Sequence, residues 1–135
     1  MITVELALRL RAAGLQWAPV SGDRFVIAER DMDAEVFVVS ELTIDVHEAP
    51  TGRLIRFNGT TEWALDSVEQ EAVVWLPREG ELREVLGARF RLLEPVGDGF
   101  AVVVDRNGIE ERHVDVDAER AYARAVLAMI ATRNT

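Results

Sequence analysis

Cysteine and lysine are both missing from this chain. Without cysteine there are no disulfides, no thiolate zinc sites and no thiol nucleophile. Without lysine, all 15 basic residues are arginine, so a Schiff-base amine and the phosphate-gripping lysine of a Walker loop are excluded too. Histidine occurs twice, as His47 and His113. No run approaches the roughly 18 apolar residues that a membrane span needs. The opening MITVELALRLRAAG mixes acid and arginine into its apolar pattern, unlike a signal peptide. A cytoplasmic location and no membrane partner are expected. The formal net charge of −9 runs against a nucleic-acid partner, which selects clustered positive charge.

What is present points to a folded chain. With 49% apolar residues over 135 positions, a single domain, 1–135, can bury a core without covalent staples. Thr3 is placed to cap a helix over Val4–Ala13, and Gly14 suits its left-handed end. LQWAP and DRFVIAE read as short strands joined by the turn VSGD, and RDMDAE as a polar loop. From Val36 to His47 apolar and polar residues alternate, which fits one long bent strand or a hairpin folded at Ser40-Glu41. APTG is a turn and RLIRF the next strand.

PREGELREVLG reads as a second helix, with Pro77 in its first turn, a Leu82, Val85 and Leu86 stripe, and Gly87 at its end. RFRLLEPV, FAVVVD and EERHVDV follow as strands around GDG and RNG turns. Asp117 then caps a last helix from Ala118 to about Thr132. The class is α+β: antiparallel β meanders with helices packed on one face. Both halves spell helix, glycine, strand, Gly-Asp turn and strand, so two αββ half-repeats are one way to read the chain.

Chemistry is sparse. Asp31, Asp33 and Glu35 have the spacing of a hard-cation loop but lack the glycine and bidentate glutamate of a calcium hand, and read as a solvated turn. In HVDVD, Val114 and Val116 claim the buried face, which leaves His113, Asp115 and Asp117 to solvent. Ser21, Ser40 and Ser67 lie in no nucleophile elbow. Asn58-Gly59 reads as a tight turn. No catalytic residue, metal site or cofactor is expected.

The stretch RFNGTTEWALDSVEQEAVVWLP, 56–77, fits neither a helix nor a strand cleanly. It holds Trp63 and Trp75 among Glu62, Asp66, Glu69 and Glu71. Two uses compete: core tryptophans with a hydrophobic staple into the second helix, or a part-exposed aromatic ledge for a partner. In the last helix Ala118, Tyr122, Ala125, Val126 and Met129 share a face, Ile130 borders it and Leu127 points away, so the helix is apolar almost all round. The candidate interaction surface is Trp63, Asp66, Trp75, Leu76 and Leu127, facing a protein partner or a second copy in a homodimer.

The residues from DRFVI through EVLG, with FNGTTEWALDSVEQ as their most recognisable part, resemble a family of small uncharacterised actinobacterial proteins, some of which carry a pilus-assembly label. The second half, from WLPREGELREVLG through the terminal helix, is similar to small phage and prophage proteins whose helix starts on WLP. These resemblances imply a bacterial or mobile-element setting and a fold, and bring no catalytic residues. The leading expectation is a non-enzymatic protein-interaction module. The alternatives are a small-molecule-binding or hydrolytic enzyme using Glu62 and Asp66, and an acidic mimic of nucleic acid.

Overall fold

The computed structural model describes the backbone of residues 1–27, 32–39, 43–49, 52–58, 67–69 and 73–133, and the side chains of 1–27, 36–39 and 73–131. Within these residues the α+β reading holds: three α-helices and three sheets, each of three strands. The chain divides into two compact units. One joins Met1–Gln16 to Leu76–Thr135, and the other is Trp17–Trp75.

The first unit opens with α1 (Val4–Ala13). Thr3 Oγ1 accepts the Leu6 N–H at 3.1 Å and satisfies one of the orphan donors of the first turn. Gly14 ends the helix at φ 116°, a conformation that costs glycine little, and the Leu15 N–H reaches back to the Leu10 carbonyl. Helix α2 (Glu79–Leu86) starts differently from the expectation. Pro77 stands ahead of the N-cap instead of inside the first turn, and Arg78 is the capping position. Glu81 Oε1 reaches back to accept the Arg78 N–H at 3.0 Å, which ties off the helix entry. Leu82 and Leu86 are its buried stripe, with Val85 at the margin.

After a 3-10 turn at Gly87–Arg89 come β7 (Phe90–Val96), β8 (Gly99–Arg106) and β9 (Ile109–Asp115), an antiparallel meander. Asn107 and Gly108 both have positive φ, which fits the tight two-residue turn that right-twisted strands favour. That turn fixes the register Arg106↔Ile109, and with it Val104↔Glu111 and Val102↔His113. Helix α3 (Ala118–Arg133) is capped as expected, Asp117 accepting the Arg120 N–H at 3.0 Å. It packs on β8 and β9, and α1 and α2 pack on it in turn.

The second unit holds β1 (Arg24–Ile27), β2 (Met32–Val38), β3 (Thr43–Ala49), β4 (Gly52–Asn58) and β5 (Ser67–Glu69), together with β6 (Val73–Leu76), whose last residue falls in the first unit. The sheet orders are β2-β1-β6 and β3-β4-β5. The long alternation from Val36 to His47 is therefore neither one strand nor one hairpin. Its first part pairs with β1 and its second with β4. RDMDAE is not a loop throughout, since β2 already begins at Met32. Nor does LQWAP form a strand; the VSGD turn forms, with the Asp23 N–H bonded to the Val20 carbonyl. Only the second half thus shows the full helix-strand-turn-strand order.

What LQWAP supplies instead is a half-buried indole packed against the core. Trp17 stacks on Trp75 with centroids 6.3 Å apart and meets Phe25 at 5.8 Å with its ring tilted by 38°, and Phe25 stacks on Phe37 at 5.5 Å. Phe25, Ile27, Val39 and Val73 form the buried cluster beneath. Asp23, wholly buried, anchors this end: its Oδ2 accepts the Trp17 indole N–H at 2.8 Å and the Val20 N–H at 2.9 Å. A buried carboxylate is tolerable where such donors replace water.

Candidate functional site

The expected surface does not assemble as drawn. Trp63, Asp66 and the neighbouring Glu62 lie outside the described residues. Trp75 is half-buried in the aromatic stack, where its Nε1 is buried without a hydrogen-bond partner. Leu76 is 1% exposed and belongs to the core, so it cannot serve as a contact surface. Its burial follows from the alternation of β6, which puts Val74 and Leu76 on a face shared by no solvent. Leu127 is half-buried on α3. The apolar surplus of that helix has an intramolecular cause, because α3 is packed by a sheet and by two other helices. Ala121, Ala123 and Ile130 are accordingly buried beside Tyr122, Ala125 and Val126.

The largest correction concerns β9. Its faces are reversed from the expectation. Val114 is 51% exposed and Val116, just past the strand, 65%. The side chains of His113 and Asp115 are 18% and 7% exposed. Glu111, His113 and Asp115 stand on the side that α3 covers, in a row along one strand.

Asp115 is held by three groups. Arg124 Nε donates to Oδ2 at 2.7 Å, Arg120 Nε lies 2.9 Å from Oδ1, and the Asp117 N–H donates to Oδ1 at 3.1 Å. Arg120 and Arg124 are four apart on α3 and so lie on one helical face. Burial pushes the Asp115 carboxyl upward, but the Arg124 hydrogen bond, the Asp117 N–H and the two arginine charges outweigh it and hold the pKa below the usual value. The Glu111 carboxyl is lowered too, chiefly by the Arg106 hydrogen bond at 2.7 Å.

The opposite side of the sheet is apolar at its centre. Leu92, Val103 and Arg112 lie in one cross-strand row, and Glu94, Ala101 and Val114 in the next. Ala101 and Val103 are buried, while Leu92, Val114 and Val116 are exposed. The bordering charges are matched: Glu94 pairs with Arg112 across the sheet, and Arg91 with Asp105 at 3.2 Å. This surface was missed because its valines were assigned to the core. Exposed β-branched residues beside carboxylates that have helix-borne arginines to meet were the available signal.

Among the described residues no cluster of three or more histidine or acidic side chains has the arrangement of a metal site, and no helix is long and apolar enough to cross a membrane. The chain matches no family model, no curated protein and no solved structure in the comparisons made.

Proposed function

We propose that this chain is a non-enzymatic protein-interaction module and that it docks a partner protein on the outer face of the β7-β8-β9 sheet. The observation that supports this reading is the reversal of β9. Three side chains able to meet water are kept under α3, while Leu92, Val114 and Val116 face outward. A strand covered on one side ordinarily presents its polar residues to solvent. Apolar outward residues gathered on one sheet mark an interaction site.

The border charges narrow the partner. Because Glu94 and Asp105 already pair with Arg112 and Arg91, the face offers no cationic track for phosphates and little field to steer a charged ligand. Its complement is an apolar protein surface.

A photo-crosslinking amino acid placed at Val116 in living cells tests this, with a second placed at Glu84 on α2 as control. Discrete protein adducts from position 116 that position 84 does not give, and that Val114→Glu abolishes, support the module. Absence of adducts at 116, or the same adducts at both positions, refutes it. Sedimentation of the purified chain then decides whether the partner is a second copy. Because Val114 is solvent-exposed, Val114→Glu leaves the fold intact.

A further inference from the structure

Two strands bound the β7-β8-β9 sheet, and their outer edges differ in what they offer. The Gly97-Asp98 turn joins Val96 to Gly99, and the Asn107-Gly108 turn joins Arg106 to Ile109. In a two-residue hairpin the residues flanking the turn exchange hydrogen bonds, and bonded positions alternate from there. Glu94 and Val96 therefore bond to β8, while Pro95 turns its backbone outward. Proline has no N–H to give, so β7 is a blunted edge. On β9 it is Glu111, His113 and Asp115 that bond to β8. Glu110, Arg112 and Val114 turn N–H and carbonyl groups outward, and all three are exposed.

The side chains along this open edge carry a charge pattern. Glu110 stands opposite Asp105, a like charge that Arg91 already neutralises. Arg112 gives Nη2 to Glu94 and keeps its other guanidinium nitrogens for a second acceptor. Charges on an edge suppress indiscriminate strand pairing and favour registers in which they match. A second β9, antiparallel and related by a two-fold axis normal to the sheet, matches them when Glu110 faces the partner's Arg112. On the inner side Glu111 then falls on the axis, where each carboxylate is held by the Arg106 of its own chain at 2.7 Å. The register that sets Arg112 against itself leaves Glu110 facing an uncharged valine. The register that sets Arg112 against Val114 brings Glu111 against a second carboxylate, that of Asp115.

We propose that this chain forms a two-fold dimer by pairing β9 with β9 in that register, so that two three-stranded sheets join into one. Glu110 and the partner's Arg112 exchange backbone hydrogen bonds and add an ion pair, and symmetry repeats the arrangement. Ile109, the most exposed of the large apolar side chains at 69%, is drawn against the second strand. A second copy is the occupant because this edge carries its own complement, an acid and an arginine two residues apart. The dimer does not use Leu92 or Val116, so it stands or falls apart from the docking face.

Sedimentation velocity of the full chain over a concentration series tests this, with circular dichroism as the check on folding. The wild type is expected to pass from monomer to dimer. Glu110→Arg sets arginine against arginine in both pairs and should weaken the dimer about tenfold. Arg112→Glu should do the same, and the two together restore matched pairs and bring association back to within about threefold of wild type. Both positions are exposed, so these variants keep the fold. Leu92→Glu, on the docking face, should leave the dimer unchanged. The chain has no cysteine, so Glu111→Cys reads the register. Residues facing each other in a non-bonded antiparallel pair lie about 4.5 Å apart at Cα, within disulfide reach. Oxidation should lock Glu111→Cys as a dimer and leave Leu92→Cys monomeric. A wild type that stays monomeric overturns the proposal and leaves the edge to an extended segment of another protein. A double charge swap that restores nothing, a dimer lost in Leu92→Glu, or Glu111→Cys that cross-links no faster than Leu92→Cys overturns it too.

Discussion

Replacing Asp115 by alanine tests the reversed strand directly. In the folded chain its carboxylate meets Arg120, Arg124 and the Asp117 N–H. Leaving a fully buried ion without its partner costs about 3–5 kcal/mol. The arginines here are 31% and 46% exposed, so water takes over part of their solvation. Two part-exposed ion contacts at about 0.2–1 kcal/mol each, and one hydrogen bond near 1 kcal/mol, give a loss of roughly 1.5–3 kcal/mol. Had His113 and Asp115 faced solvent, the loss would be within about 0.5 kcal/mol.

The pH dependence supplies a second, independent reading. The Asp115 pKa is lowered by folding, so its contribution is present above the unfolded-state value of roughly 4 and is lost as pH falls through the folded value. The gap between wild type and Asp115→Ala should therefore be wide at neutral pH and close in acid. Urea unfolding followed by circular dichroism at both ends measures it. Asp115→Asn, which keeps an acceptor for the Asp117 N–H but loses the charge, should fall between the two. A neutral-pH difference under about 0.5 kcal/mol, or one that does not change with pH, refutes the buried-carboxylate account.

Other consequences follow from the same packing. Gly99→Ala should destabilise strongly, by about 1–3 kcal/mol, because a Cβ there would run into the Asp115 carbonyl oxygen and lie 3.0 Å from the Val116 Cα; chemical denaturation reads the loss, and a neutral result would disprove the close β8-β9 approach. Tyr122, the one tyrosine, has its pKa raised by burial and by the neighbouring charge of Glu79. Its phenolate absorbance should therefore appear above the ordinary pH of roughly 10, and Glu79→Gln should lower that midpoint. With a raised folded pKa, its stabilisation is complete below the unfolded value and is lost as pH climbs through the folded one. Asp23→Ala strands the Trp17 and Val20 donors and should cost about 2–4 kcal/mol, with a change in tryptophan emission; unchanged emission and stability would remove Asp23 from the anchoring role.

Local chemistry made much of this fold legible in the chain. Thr3 and Gly14 bound α1 because a hydroxyl and a left-handed glycine solve the two ends of a helix. The Arg-Asn-Gly turn set the β8-β9 register, and Asp117 started α3. Alternation, however, says only that a strand has two faces. It does not say which one is covered. In β9 that choice was made by α3, whose Arg120 and Arg124 meet Asp115 and make the charged face the inner one. The valines face outward as a consequence, since one turn of the strand decides both sides. The same limit explains Trp17 and α3. A short irregular segment was read as a strand because its role is to carry one indole to Asp23 and the aromatic stack. An almost wholly apolar helix looked as if it needed a second copy, when α1 and α2 stand against it within the chain. Caps, turns and register depend on residues a few positions apart, and the sequence by itself determined them. Which face is inner, and what covers a helix, depend on residues brought together across the chain, and only the tertiary structure decided those.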